Sequence, residues 1–300
     1  MSLDLTGVIP PLVTPFTAEG EIDETAFRNV IRFNLARGVH GVCPGGSSGE
    51  GHTLTLDEFR RIMEITAEEV NGAVPIVAGI ISNSTRDAIN RAKAIEHLPV
   101  AALQVTPVHY LFKPDEASTF RHFKALTEAV GTPVIIYNVV PWNYCTPAQL
   151  IRLMSELPGV QGVKQSQGDL KLMADLLLGV PKGCKIYSAI DALLYSSFAL
   201  GAHGTIAATP AAIPGVCVAL WKAAQAGDHA RAFEMHKAML AYWNAIVADN
   251  LPANIKTSLT LQGCDAGLPR APMPPTSDAQ RARIEETLKA VLRYEALETV

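Results

Sequence analysis

The 300-residue sequence is notable first for what it lacks. Its five cysteines, at positions 43, 145, 184, 217 and 264, form no Cys-x-x-Cys spacing. A scattered, odd-numbered set argues against a disulfide framework and for reduced thiols, so a cytoplasmic setting is expected. No basic run or basic face stands out, and the formal net charge is −4, which gives no footing for nucleic acid. No stretch of about 18 uninterrupted apolar residues occurs, so neither a membrane span nor a membrane partner is expected. The first residues lack a charged segment followed by an apolar one, so no signal peptide is read there. The histidines are dispersed, with no His-x-His pair, and no metal site or cofactor is expected. The glycine-rich loop at residues 45–51 is not followed by Gly-Lys-Ser/Thr, which excludes a Walker loop.

What is present is alternation. Short apolar runs at Gly7–Val13, Gly41–Pro44, Pro75–Gly79, Ala101–Thr106, Pro133–Asn138, Val160–Lys164, Lys185–Ser188 and Gly204–Ala207 read as strands. Helical patterns lie between them, such as Asp23–Arg37 closed by Gly38 and one opening at the capping-box sequence Thr55-Leu56-Asp57-Glu58. Others run over Thr85–His97, Asp115–Val130 and Pro147–Glu156. Eight apolar strands alternating with helices predict an α/β fold, a (β/α)8 TIM barrel, over residues 1–225. Residues 226–300 are expected to form a C-terminal helical appendage, interrupted by a proline-rich connector at Leu268–Pro275.

Barrel strands deliver their last residues to one mouth, where catalysis takes place. Lys164 ends its strand and Tyr137 ends another, whereas Lys93, Lys124 and Lys171 lie in helical patterns and read as solvated charges. An amine in that position can condense with a ketone to form a Schiff base. The loop Gly45-Gly46-Ser47-Ser48-Gly49-Glu50-Gly51 offers glycines for close backbone approach and two hydroxyls suited to a carboxylate, against the plainer alternative of a flexible loop.

These motifs, in order, resemble the dihydrodipicolinate synthase/N-acetylneuraminate lyase family of class I aldolases. The likeness also covers Thr14-Pro15-Phe16, Val105-Thr106-Pro107, Gly201-Ala202-His203-Gly204 and Lys256 with Arg270-Ala271-Pro272, nearly end to end. It implies a barrel enzyme, a homotetramer built as a dimer of dimers, that acts on a pyruvate-like or hydroxylated 2-keto acid without a cofactor. By the same resemblance Lys164 would form the Schiff base, Ser47 and Ser48 would hold the carboxylate, and Tyr137 would move protons. Tyr110 of a neighbouring subunit would complete the relay, with His109 as a stand-in. Ser166 and Asp191 match positions that face the second substrate in lyases of the family, while Ala192 stands where such lyases carry glutamate. No arginine lies in Val139–Tyr144, where synthases of the family present one, and Trp142 and Ala207 are expected in an apolar distal wall. Two other readings compete: a metal-dependent barrel aldolase or hydrolase, and a catalytically silent keto-acid binder. A true 4-hydroxy-tetrahydrodipicolinate synthase remains an alternative within the family.

Overall fold

A computed structural model describes residues 5–296. Seven strands form one parallel sheet: β1 (Gly7–Val8), β2 (Ile76–Ile80), β3 (Val100–Val105), β4 (Val134–Asn138), β5 (Val160–Gln165), β6 (Lys185–Ser188) and β7 (Gly204–Thr205). Their order is β1-β7-β6-β5-β4-β3-β2, so β1 and β2 stand at the two edges. The segment 40–44 fills the space between those edges. Cys43 donates to the Pro10 carbonyl, and Val77 and Gly79 donate to the carbonyls of Val42 and Pro44. The wall therefore closes into a barrel, as expected.

Several expected strands are shorter than read from sequence, β7 ending at Thr205 rather than Ala207, and two of them share one reason. Pro10 and Pro11 have no N–H, so β1 stops at Val8 rather than Val13. The run Gly41–Pro44 faces those prolines and keeps only a bridge between Val42 and Ile76 in place of a regular strand.

The helices start where side-chain chemistry favours it. In α2 (Leu56–Val70) the Thr55 hydroxyl accepts from the Glu58 N–H while the Glu58 carboxylate accepts from the Thr55 N–H. The same reciprocal cap, with Gln149, opens α5 (Pro147–Glu156) at Thr146. Aspartates cap α1 (Glu24–Leu35), α4 (Glu116–Ala129) and α6 (Leu170–Gly179). With α3 (Thr85–Ala94) and α7 (Leu194–Ala199) they ring the sheet. Two helices, α8 (Ala208–Ala212) and α9 (Pro214–Gln225), follow β7.

The C-terminal region holds α10 (His229–Ile246), α11 (Leu251–Leu261) and α12 (Asp278–Ala296). Helix α11 is an addition to the elements expected from sequence. Pro252 sits in its first turn, where a missing N–H costs no helical bond. Ile255, Leu259, Ile284, Leu288 and Val291 join the same apolar layer that packs the barrel helices on the sheet.

The period-two alternation of the strands sorts the core into two shells. Val134, Ile136, Val163 and Ile186 face outward to the helices. Ile135, Tyr187, Val77, Ala102 and Ile206 meet inside the barrel with Leu5, Ile9 and Cys43. Gly162 makes room for this plug: a Cβ there would lie 3.5 Å from the Tyr187 ring and 2.9 Å from the Lys185 carbonyl. The Tyr187 phenol donates to the Leu5 carbonyl at 2.9 Å, at the N-terminal end of the barrel.

Candidate active site

The same alternation that turns Ile135 and Gly162 inward turns Tyr137 and Lys164 inward two residues later, toward the C-terminal mouth. Their Cα atoms are register partners in β4 and β5. Lys164 is 3% exposed and its Nζ lies 3.7 Å from the centroid of the Tyr137 ring, within cation–π range. Beneath them burial pushes the Cys43 thiol up to about 12, so it is neutral. The adjoining residues point outward and brace the mouth. Asn138 donates to the Gln165 side chain at 2.9 Å and to the Cys145 carbonyl, and accepts from the Cys145 N–H at 2.8 Å, pinning the loop after β4.

The loop at residues 45–51 folds into a tight coil. Gly49 and Gly51 both donate to the Gly46 carbonyl. A Cβ at Gly51 would lie 1.8 Å from the Gly45 carbonyl oxygen, so only glycine fits that crossing. The coil presents Ser47 to the barrel: its Oγ is 3.1 Å from the Tyr137 hydroxyl. Ser48 beside it is buried. Amine, phenol and hydroxyl thus converge.

They line one cavity of about 320 Å³, with Ser48, Ser166, Asp191 and Ala207. Its far wall is apolar, made by Val139, Ala189, Ala207, Ala208, Leu251 and Pro252. The last two residues open α11, so residues 1–225 do not enclose the cavity by themselves. Ser166 Oγ is buried without a protein partner and is free to bond a ligand. Asp191 is otherwise engaged: its Oδ1 accepts from the Thr209 N–H at 2.5 Å, capping the turn that follows β7. Burial raises its carboxyl above the ordinary range, outweighing the hydrogen bonds from Thr209 and Ala208. Lys164 is the basic side chain among the lining residues, and no arginine is among them.

Two expected site residues lie outside this cavity in their own chain, one of them, Tyr110, expected to serve a neighbouring subunit. Tyr110 is 63% exposed and borders a neighbouring hollow with Ser47, His52, Asn83, Thr106 and His109, outside the cavity that holds Lys164. Trp142 is not in the distal wall. Its indole N–H donates to the His109 carbonyl at 3.0 Å, while the ring is 63% exposed. The reason is the short helical turn Pro141–Asn143, which buries Asn143 against the Val108 carbonyl and turns Trp142 outward. Val139, Leu251 and Pro252 are wall residues that carry no signal in sequence beyond being apolar. Among the described residues no group of three His, Cys, Asp or Glu side chains is placed to hold a metal ion. No helix there is long and apolar enough to cross a membrane.

The sequence profile of the Dihydrodipicolinate synthetase family matches residues 4–291. The chain belongs to that family. It is a family of class I aldolases and lyases, and this chain is one of its lyases. The 4-hydroxy-tetrahydrodipicolinate synthase of Methanopyrus kandleri is 34% identical over 292 residues, covering 96% of this chain and 97% of that protein. The synthase of the same name from Phenylobacterium zucineum is 35% identical over 281 residues, covering 93% and 94%. Among solved structures, YagE of E. coli K12 in complex with pyruvate superposes with a TM-score of 0.91 at 25% identity, covering 95% of this chain and 98% of that one. CdNal of Clostridium difficile in complex with mannosamine gives 0.89 at 26% identity, covering 96% and 99%.

Proposed function

We propose that the protein is a Schiff-base lyase in which Lys164 binds the ketone of a small 2-keto acid. The carrying observation is the convergence of Lys164 Nζ, Tyr137 OH and Ser47 Oγ on one cavity. The free amine adds to the ketone carbon to give a carbinolamine, which loses water to an iminium. The iminium withdraws electrons from the adjacent carbon, so a proton or a carbon substituent leaves from there and an enamine forms. Protonation of the enamine, or its attack on an aldehyde, followed by water, releases product and free lysine. The Ser47 and Ser48 hydroxyls and nearby backbone N–H groups hold the carboxylate. Tyr137, through Ser47, carries protons between carbinolamine and solvent, because a lone phenol is a weak base at neutral pH.

The substrate reading follows from the far wall. A polyol would lose hydrogen bonds against Ala189, Ala207 and Leu251, while one hydroxyl could reach Ser166. We take the second substrate or leaving fragment to be small, uncharged and sparsely hydroxylated. YagE is described with pyruvate, which is consistent with a pyruvate-like keto acid here. Reduction with borohydride in the presence of pyruvate should add one adduct, mapped by mass to the peptide carrying Lys164. A Lys164→Ala protein that still traps pyruvate would end this reading.

Oligomerisation belongs to the same proposal. Tyr110, Leu111, Phe112 and Trp142 are 63%, 86%, 60% and 63% exposed on adjoining loops, a cluster that a second copy would cover. We infer a homotetramer, as two tight dimers, in which Tyr110 of the facing subunit completes the relay beyond Ser47. Light scattering that finds a fully active monomer would refute it. The five free thiols suit a cytoplasmic setting.

A further inference from the structure

The coil that carries Ser47 and Ser48 is fastened by a buried ion pair on the side away from the cavity. Glu50 is 0% exposed and holds a left-handed backbone, with φ of 54°. Its Oε1 accepts from Lys256 Nζ at 2.6 Å, and its Oε2 accepts from the Arg270 N–H at 2.9 Å. Lys256 is 2% exposed on α11, donates also to the Leu268 carbonyl at 2.6 Å, and lies 4.8 Å from the Phe16 ring centroid. The Gly49 carbonyl next in line accepts from the Thr14 hydroxyl at 2.8 Å. Neither Glu50 nor Lys256 lines the cavity.

The two ends of this pair belong to opposite walls. Glu50 follows the serines of one wall, while Lys256 stands one turn along the helix whose first residues, Leu251 and Pro252, form the other. Replacing a buried ion pair by apolar groups of equal volume is often neutral for stability, because desolvation offsets the attraction. What such a pair adds is direction. Here it fixes the separation of the carboxylate loop from α11.

We propose that Glu50 and Lys256 are positioning residues that set the affinity for the substrate carboxylate by holding the Ser47–Ser48 coil against α11. The proposal rests on the keto-acid reading above. The groups facing the Lys256 ammonium are Glu50 from the coil, the Leu268 carbonyl from the segment before Arg270, and Phe16. The Arg270 guanidinium lies near but is paired with Glu58 on α2. Asp265 and Arg281 border the hollow on the outer side. Burial lowers Lys256 below the ordinary lysine range, against the opposing pull of Glu50, so rising pH removes the ammonium end of the pair earlier than it would a solvated lysine.

The test compares the wild type with Lys256→Met and with the double variant Glu50→Gln/Lys256→Met. The double variant leaves no unpaired buried charge and guards against simple unfolding. Borohydride trapping is measured with pyruvate and with acetone, which has the ketone but no carboxylate. The half-saturating pyruvate concentration should rise by about tenfold or more in both variants, while the limiting trapping rate and the acetone rate stay within about threefold. In the wild type the half-saturating pyruvate concentration should climb from pH 8 to 9.5, and the double variant should show no such climb. Unchanged pyruvate affinity in the double variant overturns the proposal, as does an equal loss with acetone or an equal alkaline climb in both proteins. A wild type that traps no keto acid removes the parent reading, and this proposal falls with it. A wild type that traps pyruvate beside a double variant of equal affinity removes this proposal alone.

Discussion

Tyr137→Phe separates two things this side chain does. The ring is 5% exposed and lies under the Lys164 amine at 3.7 Å, and phenylalanine keeps both the packing and that contact. The substitution removes only the hydroxyl, 3.1 Å from Ser47 Oγ. Losing one such hydrogen bond costs about 0.5–1.5 kcal/mol of stability, so the melting temperature should move by only a few degrees. Losing a positioned proton carrier costs about 10²–10⁴-fold in rate, which is about 2.7–5.5 kcal/mol of barrier. The predicted result is a near-native protein whose rate of Schiff-base formation with pyruvate, followed by quenched borohydride trapping, falls by at least about a hundredfold. Tyr137→Ala, which also removes the ring, should lose stability as well as rate. A Tyr137→Phe protein that traps within about threefold of the wild type would show that the phenol moves no proton in the limiting step.

Two further outcomes follow from other parts of the molecule. His122 is 5% exposed and burial lowers it to about 4, so the folded state binds fewer protons than the unfolded chain between pH 6.5 and 4. Stability from its neutral form is fully present above pH 6.5 and is lost as pH falls toward 4, at up to about 1.4 kcal/mol per pH unit. Urea midpoints across that window should show this slope, and His122→Phe should flatten it. A slope unchanged in the variant would assign the acid sensitivity to other groups. In the cavity, no arginine balances a second carboxylate. Aspartate semialdehyde should therefore react with a specificity constant lower than that of an uncharged aldehyde by about 30- to several thousand-fold, from about 2–5 kcal/mol of missing charge-paired contact. If it proves the best acceptor, the reading of the far wall is wrong while the role of Lys164 stands.

The barrel was legible because its signal is local. Each apolar run announces a strand, and β-sheet alternation places Tyr137 and Lys164 inside once Ile135 and Gly162 are inside. The capping boxes at Thr55 and Thr146 need only residues three apart. What escaped reading depends on long-range contact. Glu50 and Lys256 are 206 residues apart, and no local pattern announces that they pair. Leu251 and Pro252 enter the cavity only because α11 packs back across the mouth. Trp142 was misplaced because one short turn decides whether an indole faces a pocket or solvent, and its partner is a backbone carbonyl 33 positions away. The first strand is cut short at Pro10 and Pro11 because their missing N–H groups end a ladder that apolar character alone would extend.

The tyrosine that fills the barrel axis also governs traffic. Tyr187 is fully buried, and its phenol reaches from the level of the Lys164 Cα to Leu5 at the far end. Its neighbours Ile135, Val77 and Ile206 stop the remaining gaps. The cavity therefore has a closed floor on the side of the apolar plug. Leu251 and Val139 line the cavity above that floor. If Lys164 binds a keto acid as proposed, a second reactant that entered first would stand between the two. On the proposed reading, the closed floor alone favours the keto acid arriving before its partner.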